Sequence, residues 1–221
     1  MSQQPPSGRS RGRPSSPILS RERVAQDAIR IVVDRGYQHL TMASLARELG
    51  VSASALYNHV SSKRDVLVLV QDRINEQIDC SSFATKSWDQ ALRDWAHSYR
   101  LCFAQHTELI PLMAVLPVAD SPQTLRMYER VARGLSEAGI VGADAVDIIV
   151  GIEALVFGAA YDASAPTDIF DPGDLQDLAP TFTRFVAQRP RDPRAAADRA
   201  FELALDALIG GLRERFADAT G

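Results

Sequence analysis

Between Leu40 and Val60 the chain reads LTMASLARELGVSASALYNHV, and no other stretch restricts its fold as tightly. Two short runs of helical apolar spacing flank Gly50, and each follows a hydroxyl residue suited to capping a helix, Thr41 and Ser52. Helices joined by so short a turn cross steeply only where a small side chain sits at the crossing and the turn residue can enter the left-handed region. Ala46 and Gly50 meet those two needs. The spacing predicts one helix over 42–49 and a shorter one reaching Asn58 or His59, with Leu45, Leu49, Val51, Leu56 and Val60 buried. The outward side of the second would carry Ser52, Ala53, Ser54, Ala55, Tyr57 and Asn58, small and polar enough to enter a DNA major groove about 12 Å wide.

The flanks extend this reading. Over 21–35, Val24, Ala25, Ala28, Ile29, Val32 and Val33 recur at helical spacing, between Ser20 as cap and Gly36 as stop. Val24, Ile29 and Val32 are expected against the helix pair. A fourth helix is expected from Lys63 to about Asp79, capped by Ser61 or Ser62. Tyr57, His59 and Lys63 can donate to phosphate oxygens, and Lys63 would stand where a helix N-terminus already offers free N–H groups. The packing pattern alone also suits an ordinary three-helix unit; the donors are what point to DNA.

Beyond a Ser-rich break at 80–86, helical periodicity continues, with helices expected near 88–105, 108–116, 122–138, 143–163, 175–188 and 193–217. Strand signals are absent. The predicted fold class is therefore all-α: an N-terminal three-helix helix-turn-helix DNA-binding domain (20–80) and a larger helical bundle (81–221). Residues 1–19, rich in Pro, Ser, Gly and Arg, read as a flexible basic arm.

Charge divides along the same boundary. Residues 1–73 hold 11 Lys and Arg against 6 Asp and Glu, whereas the remaining 148 hold 13 against 22, within an overall net charge of −4. A basic end on an acidic body suits a polyanion-binding module joined to something that does not touch DNA. No run approaches the roughly 18 apolar residues of a membrane span, and no apolar stretch follows the N-terminal arginines, so no membrane partner and a cytoplasmic location are expected. Cys80 and Cys102 lack metal-site or disulfide-framework spacing, and no catalytic motif such as HExxH, a P-loop or a dinucleotide glycine pattern occurs. No metal, no cofactor and no enzyme activity are expected.

The run from Leu40 to Leu67 resembles the DNA-binding signature of TetR-type regulators, matching at Leu40, Thr41, Leu45, Ala46, Leu49, Gly50, Val51, Leu56, Tyr57, His59, Val60 and Lys63. The resemblance implies Thr41, Tyr57 and Lys63 as backbone contacts and the segment Ser52 to Ala55 as the base-reading edge. Ala53 and Ala55 have no hydrogen-bonding side-chain groups and could read only thymine methyls. In the arm, Arg9, Arg11 and Arg13 of GRSRGRP resemble the minor-groove core of AT-hook peptides; a solubilising tail is the alternative.

The body resembles the tetracycline-repressor branch through Trp88, Leu92, Arg93, SYR at 98–100, the block from Tyr128 to Gly139, and Gly151 with Gly158. That similarity implies that 81–221 is a ligand-binding and dimerisation domain with an internal drug pocket. Trp95, Tyr99, Phe103, Met113, Leu116, Phe157 and Tyr161 are its candidate lining, although the same spacing suits plain core. Met113 stands at the position matching the branch's key histidine, so a magnesium–tetracycline chelate is not the expected ligand. The branch also implies a homodimer formed by the last helix (Ala200, Leu203, Ala204, Ala207, Leu208, Leu212, with Gly211 for close approach) beside Val146, Ile149, Val150 and Ala154. The expected function is a repressor released from palindromic double-stranded operator DNA by a small lipophilic effector, with a ligand-independent DNA-binding protein or an activator as alternatives.

Overall fold

The computed structural model describes residues 19–166 and 168–217, and among them every regular element is helical. Local capping chemistry sets the first four helices. α1 (Arg21–Arg35) starts where the Ser20 side chain accepts the Arg23 N–H and ends at Gly36, whose φ of 90° lies in the glycine-favouring region. α2 (Met42–Leu49) carries a reciprocal cap: Thr41 Oγ1 accepts the Ser44 N–H at 3.0 Å, and Ser44 Oγ accepts the Thr41 N–H at 2.9 Å. Gly50 turns the chain in the left-handed region at φ 69°, and Ser52 caps α3 (Ala53–Tyr57). Ser62 caps α4 (Lys63–Asn75), whose first turn is reinforced by Asp65 accepting from Ser61 N–H at 2.8 Å and Ser62 Oγ at 2.9 Å.

The expected head core forms, with two exchanges. Leu45, Leu49, Leu56 and Val60 are buried against Val24 and Val32, while Val51 and Ile29 are half-buried. Ile31 takes the inward position on α1, and Val33 is 41% exposed. The cause is the orientation of α1: it lies along α4 as well as α2, so its buried stripe passes through Ala25, Ala28 and Ile31.

The body comprises α5 (Trp88–Ala104), α6 (Ile110–Met113), α7 (Pro122–Glu137), α8 (Ala143–Ala163), α9 (Pro180–Val186) and α10 (Pro193–Arg215). α8 is the centre of the layer, packed between α5 and α10 with α7 alongside. Two expected helices are shorter than their apolar patterns. The segment 108–116 divides into a 3-10 turn at Thr107–Leu109 and the single α turn of α6, where Pro111 supplies no N–H; the segment 175–188 divides at Ala179 before Pro180. Among the described residues, no helix is long and apolar enough to cross a membrane.

α4 joins the two parts. It packs on α1, and its C-terminal end meets α7 through a polar junction. Asp72 Oδ1 accepts from Ser121 Oγ at 2.6 Å and from Gln123 N–H at 3.0 Å, so a carboxylate of α4 satisfies the first turn of α7. Ser121 is fully buried, so breaking this junction would strand a polar group.

Candidate functional site

Most of the described candidate residues gather near one end or the other of α4. At its N-terminal end, Ser52, Ala53, Ser54, Tyr57, Asn58 and His59 are exposed on or just beyond α3, and Ala55 is half-buried. Tyr57 is 51% exposed although aromatic, which costs hydrophobic free energy and leaves its hydroxyl open. The serines are already partly engaged: Ser52 Oγ accepts the Ala55 N–H at 3.2 Å and lies 3.0 Å from Ser54 Oγ. Thr41 is exposed, with its hydroxyl committed to the α2 cap. Lys63 rests on Tyr37, its Nζ 3.6 Å from the ring centroid and donating to the Tyr37 carbonyl at 3.4 Å. Arg11 and Arg13 lie outside the described residues.

At the C-terminal end of α4 a cavity of about 160 Å³ opens between α4, α5, α7 and α8. Tyr99, Phe103, Met113, Leu116 and Phe157 line it. The three aromatic rings interlock, with centroids 5.2 Å apart for Tyr99 and Phe103, 5.7 Å for Tyr99 and Phe157, and 5.0 Å for Phe103 and Phe157. Trp95 and Tyr161 are not among the lining residues. Trp95 is fully buried one turn beyond Tyr99, with its ring centroid 5.5 Å away; eight residues of helix separate it from Phe103 by about 12 Å, too far to share so small a space. Tyr161 lies at the end of α8 and is 43% exposed. A larger open depression of about 510 Å³ between the end of α8 and α9 is lined by none of the predicted residues.

The polar lining went unrecognised in the sequence: Gln71 and Asn75 from α4, Tyr128 from α7 and Glu153 from α8. Tyr99 and Tyr128 both donate to Glu153 Oε1, at 2.7 and 2.6 Å. Burial pushes the Glu153 carboxyl up from its ordinary range, opposed by those two hydroxyls, and raises both tyrosines. Gln71 Oε1 and Asn75 Oδ1 are buried without a hydrogen-bond partner among the described residues. Readable signals did exist. Gln71 and Asn75 stand four apart on the otherwise apolar side of α4, and Glu153 interrupts VDIIVGIEALVFGAA.

On the far side of α8 an apolar face is uncovered. Val146 and Val150 are more than half exposed, as is Leu203 of α10; Gly151, Ala154, Ala200, Ala204, Ala207 and Gly211 are also exposed. Ile149, expected on this face, instead packs inward within the subunit, because the inward stripe of α8 runs through Ala145, Ile148, Ile149 and Ile152. Leu208 and Leu212 are half-buried. Among the described residues no cluster of three or more His, Cys, Asp or Glu side chains could hold a metal.

Together these elements define a helix-turn-helix protein with a helical body containing a cavity. Residues 26–70 match the family model for bacterial regulatory proteins of the tetR family, and residues 84–216 match the tetracyclin repressor-like C-terminal domain. The chain belongs to the tetR family, in the branch with a tetracyclin repressor-like C-terminal domain. It is 27% identical over 154 residues to the HTH-type transcriptional repressor DrrR1 of Streptomyces coeruleorubidus, a match covering 69% of this chain and 57% of that protein. A match to an HTH-type transcriptional regulator of Saccharopolyspora erythraea likewise spans 61% of that relative's length. To the Escherichia coli tetracycline repressor protein class A from transposon 1721 it is 28% identical, with coverage of 87% and 89%. The fold is shared with the Streptomyces coelicolor TetR family protein ActR, solved in complex with actinorhodin (TM-score 0.72, 23% identity, coverage of 93% and 100%).

Proposed function

We propose that the chain is a homodimeric transcriptional repressor that binds palindromic operator DNA and is released from it by a small molecule held in the cavity beside Glu153. One observation carries this reading: α4 presents Lys63 beside the helix-turn-helix at one end and Gln71 and Asn75 to the cavity at the other. A ligand that draws on Gln71 and Asn75 favours one position of α4, and the α1–α4 packing passes that preference to the head. The bias needs about 1–3 kcal/mol of coupling to alter affinity substantially.

The exposed face on α8 and α10 supports pairing with a second copy, small residues permitting close approach around Val146, Val150 and Leu203. Pairing sets two short recognition helices roughly 34–36 Å apart, one DNA turn, which offsets the few contacts a five-residue helix can make. In this reading Tyr57, His59, Lys63 and Thr41 meet phosphates and Ser52, Ala53, Ser54, Ala55 and Asn58 face bases, with Arg11 and Arg13 adding minor-groove contacts. The lining residues Tyr99, Phe103, Met113, Leu116 and Phe157 surround the effector, and Trp95 supports Tyr99 from behind. No catalytic step is assigned to any residue.

Selection of bound duplexes from a random library tests the reading. Enrichment of a two-fold symmetric site is expected, with Lys63→Ala weakening binding to all sequences and lowering the log–log salt slope by about one. Arg11→Ala with Arg13→Ala should lower that slope by roughly two. Binding without sequence enrichment would overturn specific operator recognition.

A further inference from the structure

The hydrogen-bond inventory of the cavity specifies the chemistry of its ligand. Ser121 Oγ donates its one proton to Asp72 Oδ1, so the Ser121–Thr124 contact at 2.5 Å uses the Thr124 proton. Thr124 Oγ1 therefore accepts from Asn75 Nδ2, at 2.7 Å. This chain of donors fixes the Asn75 amide with its NH₂ toward Thr124 and leaves Oδ1 as a spare acceptor. The two tyrosine protons are both spent on Glu153 Oε1. What is left over is the acceptor Asn75 Oδ1, the Gln71 side-chain amide, which makes no hydrogen bond among the described residues and can turn its oxygen to a donor, and the second oxygen of the half-buried Glu153, whose Oε1 takes both tyrosines. Gln71 and Asn75 are each only 5% exposed, so bulk water does not satisfy them.

Charge points the same way. Among the described residues no lysine, arginine or histidine lines the cavity, and the partners of Glu153 are the Tyr99 and Tyr128 hydroxyls. The rings of Tyr99, Phe103 and Phe157 form part of the remaining wall, and aromatic rings can attract cations.

Resting on the repressor reading above, we propose that the effector is an organic ammonium: a compact apolar or single-ring group bearing a protonated primary amine, whose three N–H groups pair with Glu153 and donate to Asn75 and Gln71. The volume of about 160 Å³ matches this size, since an apolar cavity of about 150 Å³ accommodates benzene.

Binding to the full-length protein without DNA, measured by calorimetry at neutral pH, tests the assignment with benzylamine and phenethylamine against the neutral isostere benzyl alcohol and the anion benzoate. The amines should bind at least tenfold tighter than the alcohol, with benzoate weakest. Glu153→Gln should reduce that ratio to near one while circular dichroism shows an unchanged fold, and Gln71→Leu should weaken the amines several-fold. Alcohol or benzoate binding as tightly as the amines, a preference surviving Glu153→Gln, or no saturable amine binding in the millimolar range would each overturn the assignment. An amine that binds as expected but leaves a protein–DNA complex intact would uphold the ligand class and overturn the release mechanism instead.

Discussion

The two ends of α4 treat polar groups in opposite ways. Around the helix-turn-helix the hydroxyls of Ser20, Thr41, Ser44, Ser52 and Ser62 are all committed to caps, and Asp27, the buried charged side chain of α1, is paired with Arg30 at 2.8 Å. Around the cavity, Gln71 and Asn75 keep buried acceptors without partners, and the half-buried Glu153 carboxyl faces a lining without a cation. The head has been settled in favour of a fixed shape, whereas the cavity retains unmet demand. A folded chain tolerates such demand where something else meets it, and buried unpaired polar groups are therefore better pointers to a ligand than aromatic residues, which serve cores equally well.

Substitutions in the two regions should differ in the size and sign of their effects. The largest effect is expected from Leu45→Ala, whose side chain is fully buried: a loss of about 2–5 kcal/mol in urea unfolding, with the head melting first. Gly50→Ala comes next. Its Cβ would meet nothing within 4 Å, so the cost is backbone strain alone, about 1–2 kcal/mol by thermal or chemical unfolding. Thr41→Ala removes one cap at about 1 kcal/mol, and any additional loss of DNA affinity beyond that destabilisation would mark Thr41 as a contact in its own right.

The smallest effect carries the opposite sign. Because burial raises the Glu153 carboxyl in the folded state, its contribution to stability is present below the ordinary glutamate range and is lost as pH rises through the raised value. Glu153→Gln should therefore unfold at a temperature equal to or above wild type at neutral pH, with the difference shrinking as the medium is acidified. A loss of stability at neutral pH would mean that the carboxylate supports the fold, and the contrast between head and cavity would weaken.

How much could be read from the chain follows the same division. The caps and turn of the head are local chemistry: Thr41, Gly50, Ser52 and Ser62 sit within a few residues of the groups they satisfy, so the first four helices were legible almost to their ends. The fourth was expected to run on to Asp79, but α4 ends at Asn75, and α3 ends at Tyr57. In the body, helical spacing located Tyr99, Phe103 and Phe157, yet could not separate the cavity wall from the core, so Trp95 and Tyr161 shared the same pattern. Tyr128 and Glu153 meet across 25 residues, and Asn75 reaches Thr124 across 49. Pairings at such distance arise from tertiary packing, which periodicity does not encode.

The central claim is that one helix links the cavity to the head, and reciprocity gives it a direct test. Benzylamine affinity should be measured by calorimetry on the free protein and on the same protein saturated with its selected duplex. If α4 couples the sites, the amine binds the DNA complex at least tenfold more weakly than the free protein, and duplex affinity falls by the same factor when amine is present. Equal amine affinity in the two states would contradict the account.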